Sequence, residues 1–314
     1  MKKIVWIHNF NREINPSAGI FMFILLDKCN RDGVDIQPYF ISPSYNPIRF
    51  VKQVIRARQE LKEYDYIHAQ YGSATGLFTI FLKGKKILSL RGSDLFKTRV
   101  VGVKNKIHIV LGNIFTRFSI PRVDRIIVMS ENMKALTNNI CKRVKIDVIP
   151  DGINLEKFKQ NRNRTNKNFR VLFSSVAEYN PVKRYHLAKE AFELFKEKVP
   201  ESELVIMTGV THDKVADFIN DVDVVLLTST HEGWPNIIKE CMACNVPFVS
   251  TDVSDLKTIS EKTEKCFVTS DNKVEISEAL YKTWQLRNKD EDLRKHILQM
   301  DIDLIAEKIV QLYK

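Results

Sequence analysis

The stretch His231-Glu232-Gly233-Trp234-Pro235-Asn236-Ile237-Ile238-Lys239-Glu240 lies between two apolar runs. Upstream, Val224-Val225-Leu226-Leu227-Thr228-Ser229 is short and β-branched and reads as a buried strand. Gly233 frees the backbone, and Pro235 suits the first position of a helix, where its missing N–H costs nothing. The helix is predicted to run through Ile237, Ile238, Cys241, Met242 and Ala243. It should stop at Asn245-Val246-Pro247, ahead of a second strand, Phe248-Val249-Ser250.

A strand feeding a helix start makes an anion site, because unpaired N–H groups and the positive end of the dipole point the same way. Asn236 and Ile237 supply such donors, while Gly233, Trp234 and Pro235 form the turn beside them. Glu240 lies four residues after Asn236 and so shares its helical face. A carboxylate beside a phosphate repels it unless it accepts from hydroxyls. Glu232 and Glu240 therefore point to a ligand carrying both phosphate and sugar hydroxyls, a sugar nucleotide.

The same string, two glutamates separated by seven residues with Gly233 and Pro235 between them and Pro247-Phe248-Val249-Ser250-Thr251-Asp252 after, resembles the signature of retaining glycosyltransferase family 4 (glycosyl transferases group 1). Ile149-Pro150-Asp151-Gly152-Ile153-Asn154 with Phe158, Asp65-Tyr66-Ile67-His68-Ala69 and Arg91-Gly92-Ser93-Asp94 also match stretches of that family. The resemblance implies the GT-B fold, two Rossmann-like doubly wound α/β domains facing a central cleft. It implies a hexosyltransferase that takes a sugar from a nucleotide diphosphate, UDP by family habit, with retention and without a metal. No cofactor is implied beyond that donor.

Bulk properties agree with a folded enzyme. The 314 residues suffice for two domains, and 44% hydrophobic with 28% charged residues excludes a disordered chain. Five scattered cysteines suit a reducing compartment better than a disulfide framework. Cys241 and Cys244 are expected to pack inside the helix rather than hold zinc, and His231-Glu232 lacks the second histidine of a zinc-protease motif. No run approaches the roughly 18 to 20 apolar residues that span a bilayer. The expected location is the cytoplasm, with a peripheral place on the inner face of the plasma membrane.

The net charge of +11 is unevenly placed: residues 1–160 hold 27 Lys and Arg against 13 Asp and Glu, the remainder 22 against 25. A basic first half attracts anionic headgroups or phosphorylated acceptors. Nucleic acid is disfavoured as a partner because no nucleic-acid motif accompanies the charge. Two basic, apolar helices are candidates to rest on lipid. One is Pro47 to Tyr64, with Arg49, Lys52, Arg56, Arg58 and Lys62. The other carries Val103, Ile107, Val110, Leu111, Ile114, Phe115 and Phe118 beside Lys104, Lys106 and Arg117. Packing of either against the core is an equal alternative.

Strand and helix patterns alternate through both halves, as in parallel sheets covered on two sides. A polar, basic segment from Lys157 to Asn168 reads as a linker. It separates an acceptor-binding domain over 1–160 from a nucleotide-sugar-binding domain over 168–299. Ile302, Ile305, Ile309 and Leu312 repeat at three and four, an amphipathic helix. By family habit the segment from about 300 to 314 crosses back to the first domain.

The resemblance also assigns residues. Lys183, in Asn180-Pro181-Val182-Lys183-Arg184, matches the donor-phosphate lysine, with Arg184 behind it. The family usually adds an arginine around Ser175 to Ala177, and none stands here. Gly19 matches the glycine of the first loop, Asn15-Pro16-Ser17-Ala18-Gly19, where backbone approaches the donor closely. Arg91 stands where many relatives have a histidine facing the sugar; it can hydrogen-bond but is a poor base. Glu232 is assigned to sugar hydroxyls, Glu240 to ribose hydroxyls. His68 is expected to be a packed histidine. Asp221-Val222-Asp223 fits a turn before a strand better than a metal site.

The expected function is transfer of a sugar to a lipid-linked or saccharide acceptor in cell-surface polysaccharide or glycan synthesis. The alternative is a non-catalytic sugar-nucleotide-binding partner subunit of a glycan assembly complex.

Overall fold

Parallel strands covered on both faces need apolar residues at nearly every position rather than at alternate ones. The first strand, β1 (Lys3–His8), meets this by burying every residue after Lys3. The computed structural model describes residues 2–14, 18–31, 34–42, 46–96, 98, 102–161, 168–175 and 180–314. Outside them fall Asn15-Pro16-Ser17 of the first loop, residues 162–167 of the expected linker, and Val176 and Ala177, where the family arginine is missing.

From β1 the chain continues through α1 (Ile20–Arg31), β2 (Asp35–Phe40), α2 (Pro47–Glu60), β3 (Tyr66–Ala69) and α3 (Ser73–Thr79). It goes on to β4 (Lys85–Leu90), α4 (Val103–Ser119), β5 (Arg125–Val128), α5 (Glu131–Ile140) and β6 (Lys145–Val148). These strands form one parallel sheet in the order β2-β1-β3-β4-β5-β6. The chain steps first to β2 and then back past β1 to β3. Right-handed crossovers therefore put α1 on one face and α2 to α5 on the other.

The second sheet follows with β7 (Phe169–Ser174), α6 (Tyr185–Lys198), β8 (Ser202–Met207), α7 (Val215–Asn220), β9 (Val224–Leu227) and α8 (Asn236–Ala243). It is completed by β10 (Phe248–Thr251), α9 (Leu256–Ser260), β11 (Phe267–Thr269) and α10 (Lys273–Gln285). Its order is β11-β10-β9-β7-β8, again all parallel. Phe169, Val171 and Phe173 of β7 pack with Ala188, Phe192 and Phe195 of α6 and with Ile276 and Leu280 of α10. The final helix is α11 (Ile302–Gln311).

By contacts the chain divides into 1–152 with 302–314, and 153–301. Residues 153–160, read from the sequence as the end of the first domain, group with the second unit, and the reason is hydrogen bonding. Arg294 donates to the carbonyls of Leu155 (2.5 Å) and Phe158 (2.6 Å), Ile153 N–H to Met300 (2.9 Å), and Asn161 N–H to Asn220 Oδ1 (2.7 Å).

The tail joins the first unit by a buried polar chain. Trp6 Nε1 donates to the Tyr313 hydroxyl (2.7 Å), which lies 2.6 Å from His68 Nδ1, while His68 Nε2 is 2.8 Å from Ser89 Oγ. Burial pushes the His68 imidazole down to about 3, so it is neutral. Tyr313 thus donates to Nδ1, and Nε2–H donates to Ser89. Tyr313→Phe leaves both Trp6 and His68 unsatisfied. It is expected to cost about 1–3 kcal/mol, read as a lower urea midpoint with an unchanged slope.

Asp221 pairs with the Arg170 guanidinium, and Asp223 Oδ2 accepts from Arg170 N–H at 2.7 Å, so both acids tie a turn to β7. Cys241, Cys244 and Cys266 are buried free thiols. No helix among the described residues is long and apolar enough to cross a membrane.

Candidate functional site

Two loops at the carboxyl ends of β7 and β9 are laced together. Asn180 shapes the first: its side chain accepts from Val182 N–H and its carbonyl from Lys183 and Arg184 N–H. Thr230 N–H donates to Val182 O at 2.9 Å, and Thr228 Oγ1 to Lys183 O at 2.7 Å. Arg184 takes a left-handed backbone (φ 52°), which a non-glycine residue holds only when its surroundings enforce it. Here they do. Its guanidinium donates to the carbonyls of Thr228 (2.6 Å) and Ser229 (3.1 Å) and pairs with Asp271 at 2.6 Å. Arg184 is therefore a strut. In the unliganded chain it ties the two loops to each other and to Asp271.

That strut leaves Lys183 facing Glu232. The ammonium is 2.6 Å from Glu232 Oε1, which also accepts from Ser229 Oγ at 2.7 Å. Both charged side chains keep about a fifth of their surface in solvent, 21% and 18%. The pair is thus shielded yet reachable.

Gly233, Trp234 and Pro235 are buried in the turn that follows, where Gly233 O accepts from Ser254 Oγ at 2.7 Å. The helix begins one residue later than the sequence implies: Pro235 is its cap (φ −69°, ψ 116°), and its carbonyl accepts from Ile238 and Lys239 N–H. A proline at the cap keeps an extended backbone, so α8 starts at Asn236. No side chain caps this start. The N–H groups of exposed Asn236 and buried Ile237 stand at the helix start. At its far end α8 stops in a Schellman turn, with Val246 N–H to Cys241 O, Asn245 N–H to Met242 O and Asn245 left-handed (φ 59°).

Glu240, one turn into α8, is half-buried, and desolvation pushes its carboxyl up to about 7 while Lys239 and Lys157 pull it back. Lys157 donates to His212 O at 2.6 Å and lies 2.7 Å from His212 Nδ1. Burial and that ammonium hold the imidazole below its ordinary value, so its Nδ1 accepts. Ser229, Asp271, Lys157 and His212 are absent from the sequence-based set. Only Lys157 carried a signal, by its place beside Phe158 in a segment the family resemblance covers.

Gly19 and Arg91 belong to the first unit. Gly19 is left-handed (φ 66°) and buried, and a Cβ there would fall 2.4 Å from the Phe10 ring. Its carbonyl accepts from Met22 and Phe23 N–H at the start of α1. Arg91 is occupied: it pairs with Asp151, donates to Gln70 O (3.1 Å) and Gln70 Oε1 (2.9 Å), and stacks on Phe21 at 4.4 Å. Burial lowers it to about 10, which leaves it charged at neutral pH. Asp94 accepts from the N–H groups of Gly72, Arg91 and Gly92 and so knots the loops after β3 and β4. Structurally, Arg91 braces the carboxyl end of the first sheet.

Residues 17–157 match the family model described as Glycosyltransferase Family 4, and residues 155–285 the one described as Glycosyl transferases group 1. An uncharacterized glycosyltransferase of Methanocaldococcus jannaschii is 26% identical over 242 residues, 70% of this chain and 64% of that protein. The chain thus matches less than two thirds of that relative's length. Among solved structures, sucrose-phosphate synthase of Thermosynechococcus elongatus aligns with a TM-score of 0.78 at 14% identity, over 100% of this chain and 98% of that one. Anabaena HepE, crystallised with UDP and glucose, aligns at 0.69 and 15% identity over 100% and 99%. These likenesses show the fold.

Proposed function

The chain belongs to the glycosyltransferase family 4, group 1 glycosyl transferases, with the GT-B fold, and on that premise we propose that it transfers a hexose from a nucleotide diphosphate, UDP in the first instance, to a saccharide or lipid-linked acceptor with retention. The observation that carries the reading is the Lys183–Glu232 pair at 2.6 Å beside the uncapped start of α8, with Glu240 one turn further on.

In this reading the diphosphate draws Lys183 away from Glu232 and takes the amides of Asn236 and Ile237. Lys183 then meets the charge that develops on the leaving nucleotide. Glu232, released but still held by Ser229, accepts from sugar hydroxyls and steadies positive charge at the anomeric carbon. Glu240 accepts from the ribose when ionised. The anomeric C–O bond to phosphate breaks as the acceptor oxygen attacks the same face, and the acceptor proton passes to the departing phosphate oxygen. Charge compensation falls to Lys183 and the amides. Within the first unit, Arg91 holds the loops at the carboxyl end of the first sheet. The UDP bound to HepE supports the nucleotide.

A thermal-shift panel of nucleoside diphosphates and nucleotide sugars tests the donor. A ligand at 100 times its Kd adds about 2.7 kcal/mol of stability and raises the melting temperature accordingly. A UDP-sugar is expected to give the largest rise, with slow release of UDP in the absence of acceptor that Glu232→Ala abolishes. A rise without any donor turnover or transfer overturns the enzymatic reading.

A further inference from the structure

Helix α4 is packed with its apolar stripe outward. Val103, Ile107, Val110, Ile114 and Phe118 recur at three and four, yet they are 73, 51, 57, 52 and 44% exposed. The buried face is Gly112, Thr116 and Ser119 instead. Close packing against α3 enforces this. Thr116 Oγ1 accepts from Ser73 N–H at 2.7 Å, a Cβ on Gly112 would sit 2.7 Å from Ser73 Oγ, and a Cβ on Gly72 would sit 2.5 Å from Thr116 Oγ1. Only the small face of α4 fits that groove, so the helix cannot roll its stripe into the core.

The rim of the stripe is cationic. The 17 residues of α4 include no Asp or Glu, Lys106 and Arg117 are exposed, and Arg122 just beyond stacks on Phe118 at 3.7 Å. On the same side of the sheet, α2 exposes Ile48, Val51 and Ile55 among Arg49, Lys52, Arg56 and Arg58. The whole first unit holds 27 Lys and Arg against 14 Asp and Glu. Exposed apolar surface of this kind marks an interaction site. Joining two copies through it would oppose cation to cation. We propose that α4 docks this unit on an anionic lipid bilayer, its stripe at the acyl boundary and its basic side chains at the lipid phosphates.

The test sediments the full chain with vesicles containing phosphatidylglycerol and with vesicles of phosphatidylcholine alone. Wild type is expected to follow the anionic vesicles, less so as salt is raised. Ile107→Ser combined with Ile114→Ser, both exposed and neither among the donor residues, is expected to lower that partition about tenfold or more. Its melting temperature and its shift on adding UDP should match wild type. Lys106→Glu with Arg117→Glu should remove the preference for anionic lipid. Equal partition onto both vesicle types, no partition at all, an undiminished double-serine variant, or a stripe-dependent dimer without lipid binding each overturn the proposal. Anionic partition with no response to UDP upholds the docking surface and counts against the donor site instead.

Discussion

Lys183→Ala is expected to lower kcat for sugar transfer by about 10²–10³-fold, the size of loss seen when one preorganised donor to a developing anion is removed. In the unliganded chain its ammonium is bound to Glu232, a contact the diphosphate has to replace. The Asn180 turn and Thr228 hold the backbone of Lys183, so alanine removes the charge and leaves the loop intact. Part of the effect should appear as a higher KM for the donor, because Lys183 also meets ground-state phosphate. Stability should fall by about 1–3 kcal/mol, because Glu232, with about a fifth of its side chain in solvent, loses its cation. Steady-state kinetics with a urea melt separate the two. A kcat within threefold of wild type removes Lys183 from the mechanism.

Glu240→Gln is expected to stabilise the unliganded chain at pH 8 by on the order of 3 kcal/mol while weakening nucleotide binding. The Glu240 carboxyl ionises near 7 in the folded chain against an ordinary 4.5, because burial penalises its charge more than Lys239 and Lys157 compensate. Between those two values the folded chain keeps a proton the unfolded chain has released. Stability is therefore lost as pH rises through that window and levels off above 7. Glutamine carries no such penalty, so the two melting curves should coincide below pH 4.5, diverge up to 7 and run parallel beyond. Donor affinity of wild type should rise over the same upper range as Glu240 becomes an acceptor for ribose hydroxyls. Such a cost retained at a binding position is what a ligand-accepting carboxylate demands. Equal melting temperatures at pH 8 overturn the assignment.

The alternation of strands and helices was readable because it is local. The strands flanking the glycine–proline turn, β9 and β10, match the apolar runs 224–229 and 248–250 that their composition marks, with ends differing by a residue or two. Between the strand at 248–250 and the final helix the sequence reading offers no element, whereas the structure has α9, β11 and α10, the last burying Ile276, Ala279, Leu280 and Thr283 at helical spacing. That spacing is a local signal of a helix. The three-residue strand β11 carries no such signal, for a run so short has no period to detect.

Long-range partners were beyond the reach of periodicity. Nothing in Asn180 to Arg184 reveals that the first cation faces a carboxylate 49 residues on while the second is spent on carbonyls and Asp271. Nothing around Arg91 in the sequence likewise reveals that Asp151 and Gln70 hold it in the unliganded chain.

By itself the sequence determined that this chain builds two parallel α/β sheets and that a strand, a glycine–proline turn and a helix follow one another around Glu232 and Glu240. Side-chain type and spacing suffice for that. Only the tertiary structure decided that Lys183 and Glu232 pair, that Arg184 bonds Thr228, Ser229 and Asp271 and Arg91 bonds Asp151 and Gln70, that residues 153–160 group with the second unit and that α4 shows its apolar stripe to the outside. Each of these depends on which donors, acceptors and grooves from distant parts of the chain arrive at the same place, and a short, directional hydrogen bond or a close helix contact exists only once they do.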